Sequence, residues 1–159
     1  MKELIEKAKH YQLKDARNYI LLDTCFLVDS LNHHERLDKL LKLKKLAMTS
    51  FNAEEFIHIE RRLPHEVRKR ARKVIPGLVI IDVEVHPGEW KKEKEFVKSI
   101  EPKLLQAIPD ASDAVLVAAA IATQSHVLTK DRHDIYQAAL ENLAKDYGMK
   151  VCKELKDII

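Results

Sequence analysis

The chain has 159 residues, 46% hydrophobic and 33% charged, with a formal net charge of +3. That is enough chain for one domain with a core, and too apolar a composition for wholesale disorder. No apolar run approaches the ~20 residues of a membrane span, and the N-terminus MKELIEKAKHYQLKDARN is too charged for a signal peptide, so a cytoplasmic location is expected.

Glycine and cysteine narrow the function classes further. The only glycines, Gly77, Gly88 and Gly148, are scattered, which argues against the glycine-rich phosphate loops of dinucleotide and Walker-type sites. Cys25 and Cys152 lack motif spacing, which argues against a disulfide framework or a cysteine zinc site. Charge is uneven: residues 36–73 hold 12 Lys and Arg against 5 Asp and Glu, densest in RKRARK (68–73). Such a stripe suits a polyanion and equally suits a solvated helix face.

Residues 2–16 read as an amphipathic helix with Leu4, Ile5, Ala8, Tyr11 and Ala16 on one side, so that 1–18 form an N-terminal helical extension. YILLD (19–23) is a short strand, FLVDSL turns helical, and HERLDKLLKLKK continues in helical phase. LAMTS (46–50) is a second strand, and the helix after it opens with Asn52 as N-cap and Glu55 as its capping-box partner. Pro64 starts a helix through Val74. LVIIDVEV (78–85) is a third strand, followed by a charged helix over roughly 88–100 whose single tryptophan, Trp90, reads as a packing residue. PDASDAVLVAAAIATQ (109–124) is a buried helix, HVLT (126–129) a fourth strand, and a helix from about 132 to 146 ends at Gly148 before MKVC (149–152). Strands alternating with helices predict one domain over 1–159: three α/β/α layers around a parallel sheet of about five strands, plus the N-terminal helix.

In open α/β sheets, sites form beyond the carboxyl ends of the strands at a topological switch point. Asp23 ends the first strand, Glu54 and Glu55 open the helix after the second, Asp110 and Asp113 sit in the first turn of the buried helix, and Asp131 follows the fourth strand. All can open onto one sheet edge. Phe56, Ile59 and Leu63 mark the core side of their helix; at 100° per residue Glu55 lies at the rim of that face and Glu54 points away. Asp110, after Pro109, reads as a plain N-cap, and Asp113 as either an acid on the helix dipole or a site residue. Asp131 with Asp134 three residues on fits a capping box as well as a site corner. A cluster of carboxylates repels itself unless a cation is present, and an all-oxygen set suits Mg²⁺ or Mn²⁺.

These residues resemble the PIN-domain family of metal-dependent ribonucleases, which includes VapC-like toxins and RNA-processing enzymes. LLDTCFLVDSL looks like the family's first motif, with Asp23 and Thr24. TSFNAEEF looks like the second, with Glu55, and SDAVLVAAAIA the third, with Asp113. LTKDRHD looks like the fourth, with Thr129, Asp131 and Asp134. The resemblance spans roughly residues 19–152. Cys25 stands where members often have Asn or Ser, and TQSH replaces the usual glycine before the fourth strand.

The resemblance implies hydrolysis of RNA phosphodiester bonds, with Asp23, Glu55, Asp113 and Asp131 around Mg²⁺ or Mn²⁺. Thr24 and Thr129 would orient carboxylates, with Asp134 undecided between ligand support and helix start. Arg61, Arg62, Arg68, Lys69, Arg70, Arg72 and Lys73 would hold the RNA backbone, and His133 reads as an exposed helix residue. The toxins imply an antitoxin partner, and many members form homodimers. The alternative is a catalytically inactive PIN-like RNA-binding or scaffold protein. An aspartyl-phosphate phosphatase is disfavoured because Cys25, not a second Asp, stands two residues after Asp23.

Overall fold

In the computed structural model, which describes residues 1–130 and 138–158, the chain wraps a single parallel sheet. Along the chain run α1 (Lys2–Lys7), β1 (Lys9–Gln12), β2 (Ile20–Leu22), α2 (Thr24–Leu31), α3 (His34–Leu41), β3 (Leu46–Thr49), α4 (Ser50–Glu60), α5 (His65–Val74) and β4 (Val79–Asp82). They are followed by α6 (Trp90–Ile100), α7 (Leu104–Ala107), α8 (Ala111–Ala122), β5 (His126–Leu128), α9 (Ala138–Asp146) and β6 (Val151–Cys152). The strand order is β1-β4-β3-β2-β5-β6, six strands among the described residues rather than five. Every pairing is parallel.

Strand side chains alternate between faces, and the apolar residues of each central strand accordingly divide between two cores. Leu21, Ala47, Ile81 and Val127 pack with Val97 of α6, Leu104 of α7, the alanine-rich α8 and Leu140 of α9. Leu22, Met48, Ile80 and Leu128 pack with Ile5 of α1, Leu27 and Leu31 of α2, Leu40 of α3, and Val67 and Ala71 of α5. Both faces are covered, giving the expected three layers. Each fully buried Leu or Ile contributes roughly 1.5–3 kcal/mol of transfer free energy.

The helix expected over 2–16 is cut short. It stops at Lys7, Ala8 is extended, and Lys9–Gln12 instead pair in register with Val79–Asp82. The open edge of β4 offers a row of unpaired backbone groups, and pairing overrides the local helical period. Ile5 and Ala8 therefore enter one core while Tyr11 and Ala16 reach the other. The segment is an edge of the sheet, not an appended helix. His10 fastens it, with Nδ1 2.9 Å from Asp82 Oδ1 and Nε2 2.7 Å from the Ile5 carbonyl.

Other boundaries shift for local reasons. The third expected strand, 78–85, is ordered as Val79–Asp82 only. Thr49, not Asn52, caps α4: its hydroxyl accepts from the Asn52 N–H, and Asn52 lies inside the helix. Asp110 caps α8 through Ser112 N. Trp90, expected to pack, is 74% exposed at the start of α6. Gly148 takes φ +65 after α9, with its N–H on Lys145 O and that of Met149 on Ala144 O. Asp131, His133, Asp134 and the start of the helix expected from 132 lie outside the described residues.

Candidate active site

β2 lies at the switch point of the sheet. The chain leaves it toward β3 on one side, while β5 pairs on the other. Asp23, the residue after β2, donates its backbone N–H to Leu128 O of β5. It occupies the N-cap position of α2, yet its carboxylate makes no capping bond. Oδ2 instead accepts from the Thr129 hydroxyl at 2.7 Å, and Oδ1 from the Asn52 amide at 3.4 Å. The acid that interrupts an apolar stretch is thus turned sideways, across the carboxyl ends of the strands.

Glu55, one turn into α4, and Asp113, in the first turn of α8, line the same open cleft as Asp23 and Lys130. Glu55 has its carboxyl pushed up to about 7, first by burial and then by the negative charges of Asp23, Asp113 and Glu93; the Asn52 amide opposes the shift. Glu54 turns away, as its helical phase requires, and pairs with His86. Among the described residues no three acidic, histidine or cysteine side chains close around a single metal position. The donor chemistry still fits one: acidic oxygens from three elements share a cleft, and their charges penalise one another.

Asn52 is the residue that sequence reasoning misplaced. It is 3% exposed, accepts from the Thr49 hydroxyl at 2.7 Å, and sends its amide toward Asp23, Thr24 and Glu55 at 3.4, 3.3 and 3.1 Å. One donor group therefore spans two of the acids. Its signal was present, since Asn52 stands three residues before Glu55 and so on the same helix face. Thr24 touches this network through Asn52, donating to its backbone carbonyl at 3.2 Å. Thr129 is fully buried and bonds Asp23 directly.

Cys25 is an exposed residue with its sulfur turned onto Thr129 Oγ1 and the Lys130 N–H. Burial of the thiol and the charge of Asp23 push it up to about 11, so it stands as a neutral thiol at the edge of the cleft.

The cations divide into two groups. Lys130 borders the acid cleft, with its ammonium on Glu154 and 5.4 Å from the centre of the Phe26 ring. Asp29 and Lys130 also line an adjoining cavity of about 540 Å³, shared with Arg36, Lys39, Lys42 and Lys156. The α5 run lies elsewhere. Arg68 binds Glu60, and Arg70 binds Leu31 O and His34. Arg68, Lys69, Arg72 and Lys73 form a separate patch with His65. Arg61 and Arg62 are exposed just beyond α4. None of the seven lines the acid cleft.

No family model and no curated protein matches the sequence. Solved structures do match. A VapBC2 structure from Rickettsia felis, bound to a DNA fragment from its promoter, is 20% identical with a TM-score of 0.52, covering 71% of this chain and 87% of that one. A toxin-antitoxin complex from Klebsiella pneumoniae is 17% identical with a TM-score of 0.53, covering 75% and 92%. DNA-bound VapBC from Salmonella typhimurium is 15% identical with a TM-score of 0.50, covering 76% and 92%. The chain has a PIN-like fold. At these identities the likeness is one of architecture. Within the PIN-like fold the switch point falls between β2 and β5, where Asp23 and Thr129 meet.

Proposed function

We propose that the protein is a divalent-metal-dependent endoribonuclease that hydrolyses RNA phosphodiester bonds with Mg²⁺ or Mn²⁺. The observation that carries this reading is the shared cleft of Asp23, Glu55 and Asp113 at the switch point of the sheet. A divalent ion bound among such carboxylates polarises water and stabilises charge on a phosphate. The chain's own residues prepare for it. Asn52 and Thr129 fix Asp23, Asn52 fixes Glu55, and α8 presents Asp113 from its first turn. Asp131, two residues after Thr129, is the proposed fourth acid. Lys130 and the cations of the adjoining cavity supply positive charge beside the acids, which suits the phosphates on either side of a cleaved bond. The α5 run with Arg61 and Arg62 remains a proposed second contact for the RNA backbone.

The three solved structures named above are VapBC and toxin–antitoxin complexes; on that likeness we extend the proposal to a toxin role with an antitoxin partner, and separately propose a homodimer. The test is cleavage of a mixed RNA pool with Mg²⁺ or Mn²⁺, by wild type and by Asp23→Asn and Asp113→Asn. We expect metal-stimulated cleavage by wild type alone, with all three proteins folded by circular dichroism. A wild-type protein that cleaves no RNA with any divalent metal overturns the reading in favour of a non-catalytic RNA-binding role.

A further inference from the structure

Glu93 is the third helical acid near the site and the least expected. It sits on α6 at i, i+3, i+4 and i+7 with Phe96, Val97 and Ile100, the face that turns inward. It is 0% exposed. Its Oε1 accepts a 2.6 Å hydrogen bond from the Ser112 hydroxyl. Its Oε2 is buried with no hydrogen-bond partner among the described residues. The lysines on the same helix do not serve it: Lys92 pairs with Glu89, and no ion pair reaches Glu93 among the described residues. A buried carboxylate oxygen with neither donor nor cation is among the costliest groups a folded chain can keep.

Its position gives that cost a use. α6 packs along α8, and Ser112 is the residue immediately before Asp113. The charge of Glu93 acts on Glu55 together with those of Asp23 and Asp113. Glu93 therefore stands behind Ser112 on the α8 side of the acids, buried outside the residues that line the open cleft, with its Oε2 unpartnered among the described residues and its charge adding to theirs. A neutral polar group would hold Ser112 equally well without that repulsion. A cation would explain both the unpaired oxygen and the excess charge.

We propose that Glu93 is an additional carboxylate of the acid site, held by Ser112 so that Oε2 supports a divalent cation, directly or through one of the cation's waters. The inference rests on the metal-dependent reading above. It assigns a role to a residue outside the four acids that the motifs mark.

The experiment is Mn²⁺ binding to the full chain after EDTA treatment, followed by calorimetry and by the Mn²⁺ paramagnetic resonance signal, with melting temperatures measured with and without Mn²⁺. In Glu93→Gln the side-chain carbonyl still accepts from Ser112, so packing is kept while the charge is removed. We expect this variant to melt higher than wild type without metal, to bind Mn²⁺ at least tenfold more weakly, and to gain less stability from it. Ser112→Ala, which keeps the carboxylate but releases its anchor, should weaken Mn²⁺ binding in the same direction by a smaller factor. Binding within twofold of wild type in both variants overturns the proposal and leaves Glu93 as a support for Ser112 alone. If wild type binds no Mn²⁺, the metal-dependent reading itself falls and this inference falls with it; the two failures are therefore distinct.

Discussion

The Thr129 hydroxyl donates a 2.7 Å hydrogen bond to Oδ2 of Asp23, joining the residues that follow two adjacent parallel strands. Thr129 is fully buried, so this hydroxyl has no water to exchange with, and the bond fixes the carboxylate's direction. Thr129→Val removes the donor and keeps the shape. It should lower Mn²⁺ affinity and RNA cleavage by about 10–100-fold, the usual effect of losing a group that orients a metal-binding carboxylate. Thr129→Ser should retain most of both. Titration of Mn²⁺ into the two variants checks this; a valine variant that behaves like wild type contradicts it.

Asn52 holds Asp23 and Glu55 from one amide. Asn52→Ala leaves both acceptors and the Thr49 hydroxyl with a partner missing, so stability should fall by about 1–3 kcal/mol in urea unfolding. Asn52→Asp replaces a donor with a further carboxylate facing the existing ones. That variant should be less stable still in EDTA and recover part of the loss when Mn²⁺ is added. An aspartate variant indifferent to metal would count against a cation at this cleft.

Glu55 sets a pH dependence. Its carboxyl is raised from an ordinary value of 4.5 to about 7 by burial and by neighbouring acids, so the folded protein holds this proton more tightly than the unfolded chain. The contribution is most favourable below the ordinary carboxylate range and is lost as pH rises toward 7. In EDTA, wild type should therefore lose stability between about pH 4.5 and 7, whereas Glu55→Gln, which cannot ionise, should lose less. Because the residue is partly exposed, the difference should be on the order of 1–2 kcal/mol rather than the full linkage value. Urea unfolding at pH 5 and pH 8 measures it, and equal losses in the two proteins would rule it out.

Gln124 occupies the left-handed region, φ +52, just before β5. It stands in the stretch where the PIN resemblance expects a glycine. A residue with a side chain costs about 1–2 kcal/mol there, and glycine loses part of that gain to its greater freedom when unfolded. Gln124→Gly should raise stability by about 0.5–1 kcal/mol and leave Mn²⁺ binding unchanged. A lower melting temperature would refute this.

That Asp23, Glu55 and Asp113 meet in one cleft was legible because each carries a local mark: a charge that breaks an apolar strand, an acid at the rim of a helix's core face, an acid in the first turn of a buried helix. The alternation of strands and helices gave the layers for the same reason. Asn52 was obscured by a competing local signal, since an Asn three residues before a Glu looks like a capping box until Thr49 takes the cap. Glu93 was visible in principle from its phase with Val97, but a helix rich in lysine and glutamate hides one buried acid among many solvated ones. β1 had no local mark. Its strand character comes from the edge of β4, some seventy residues downstream, and no window along the chain contains both.

That last pairing has a consequence for how the protein is made. Among the described strands β1 leaves the ribosome first, yet the strand it pairs with is β4. β1 must wait, unpaired, until β4 has followed and a loop of some seventy residues has closed, a slow kind of step. The N-terminal segment thus joins the sheet only after β4 has been made, and its docking reports on the edge of β4 rather than on the strands synthesised between them.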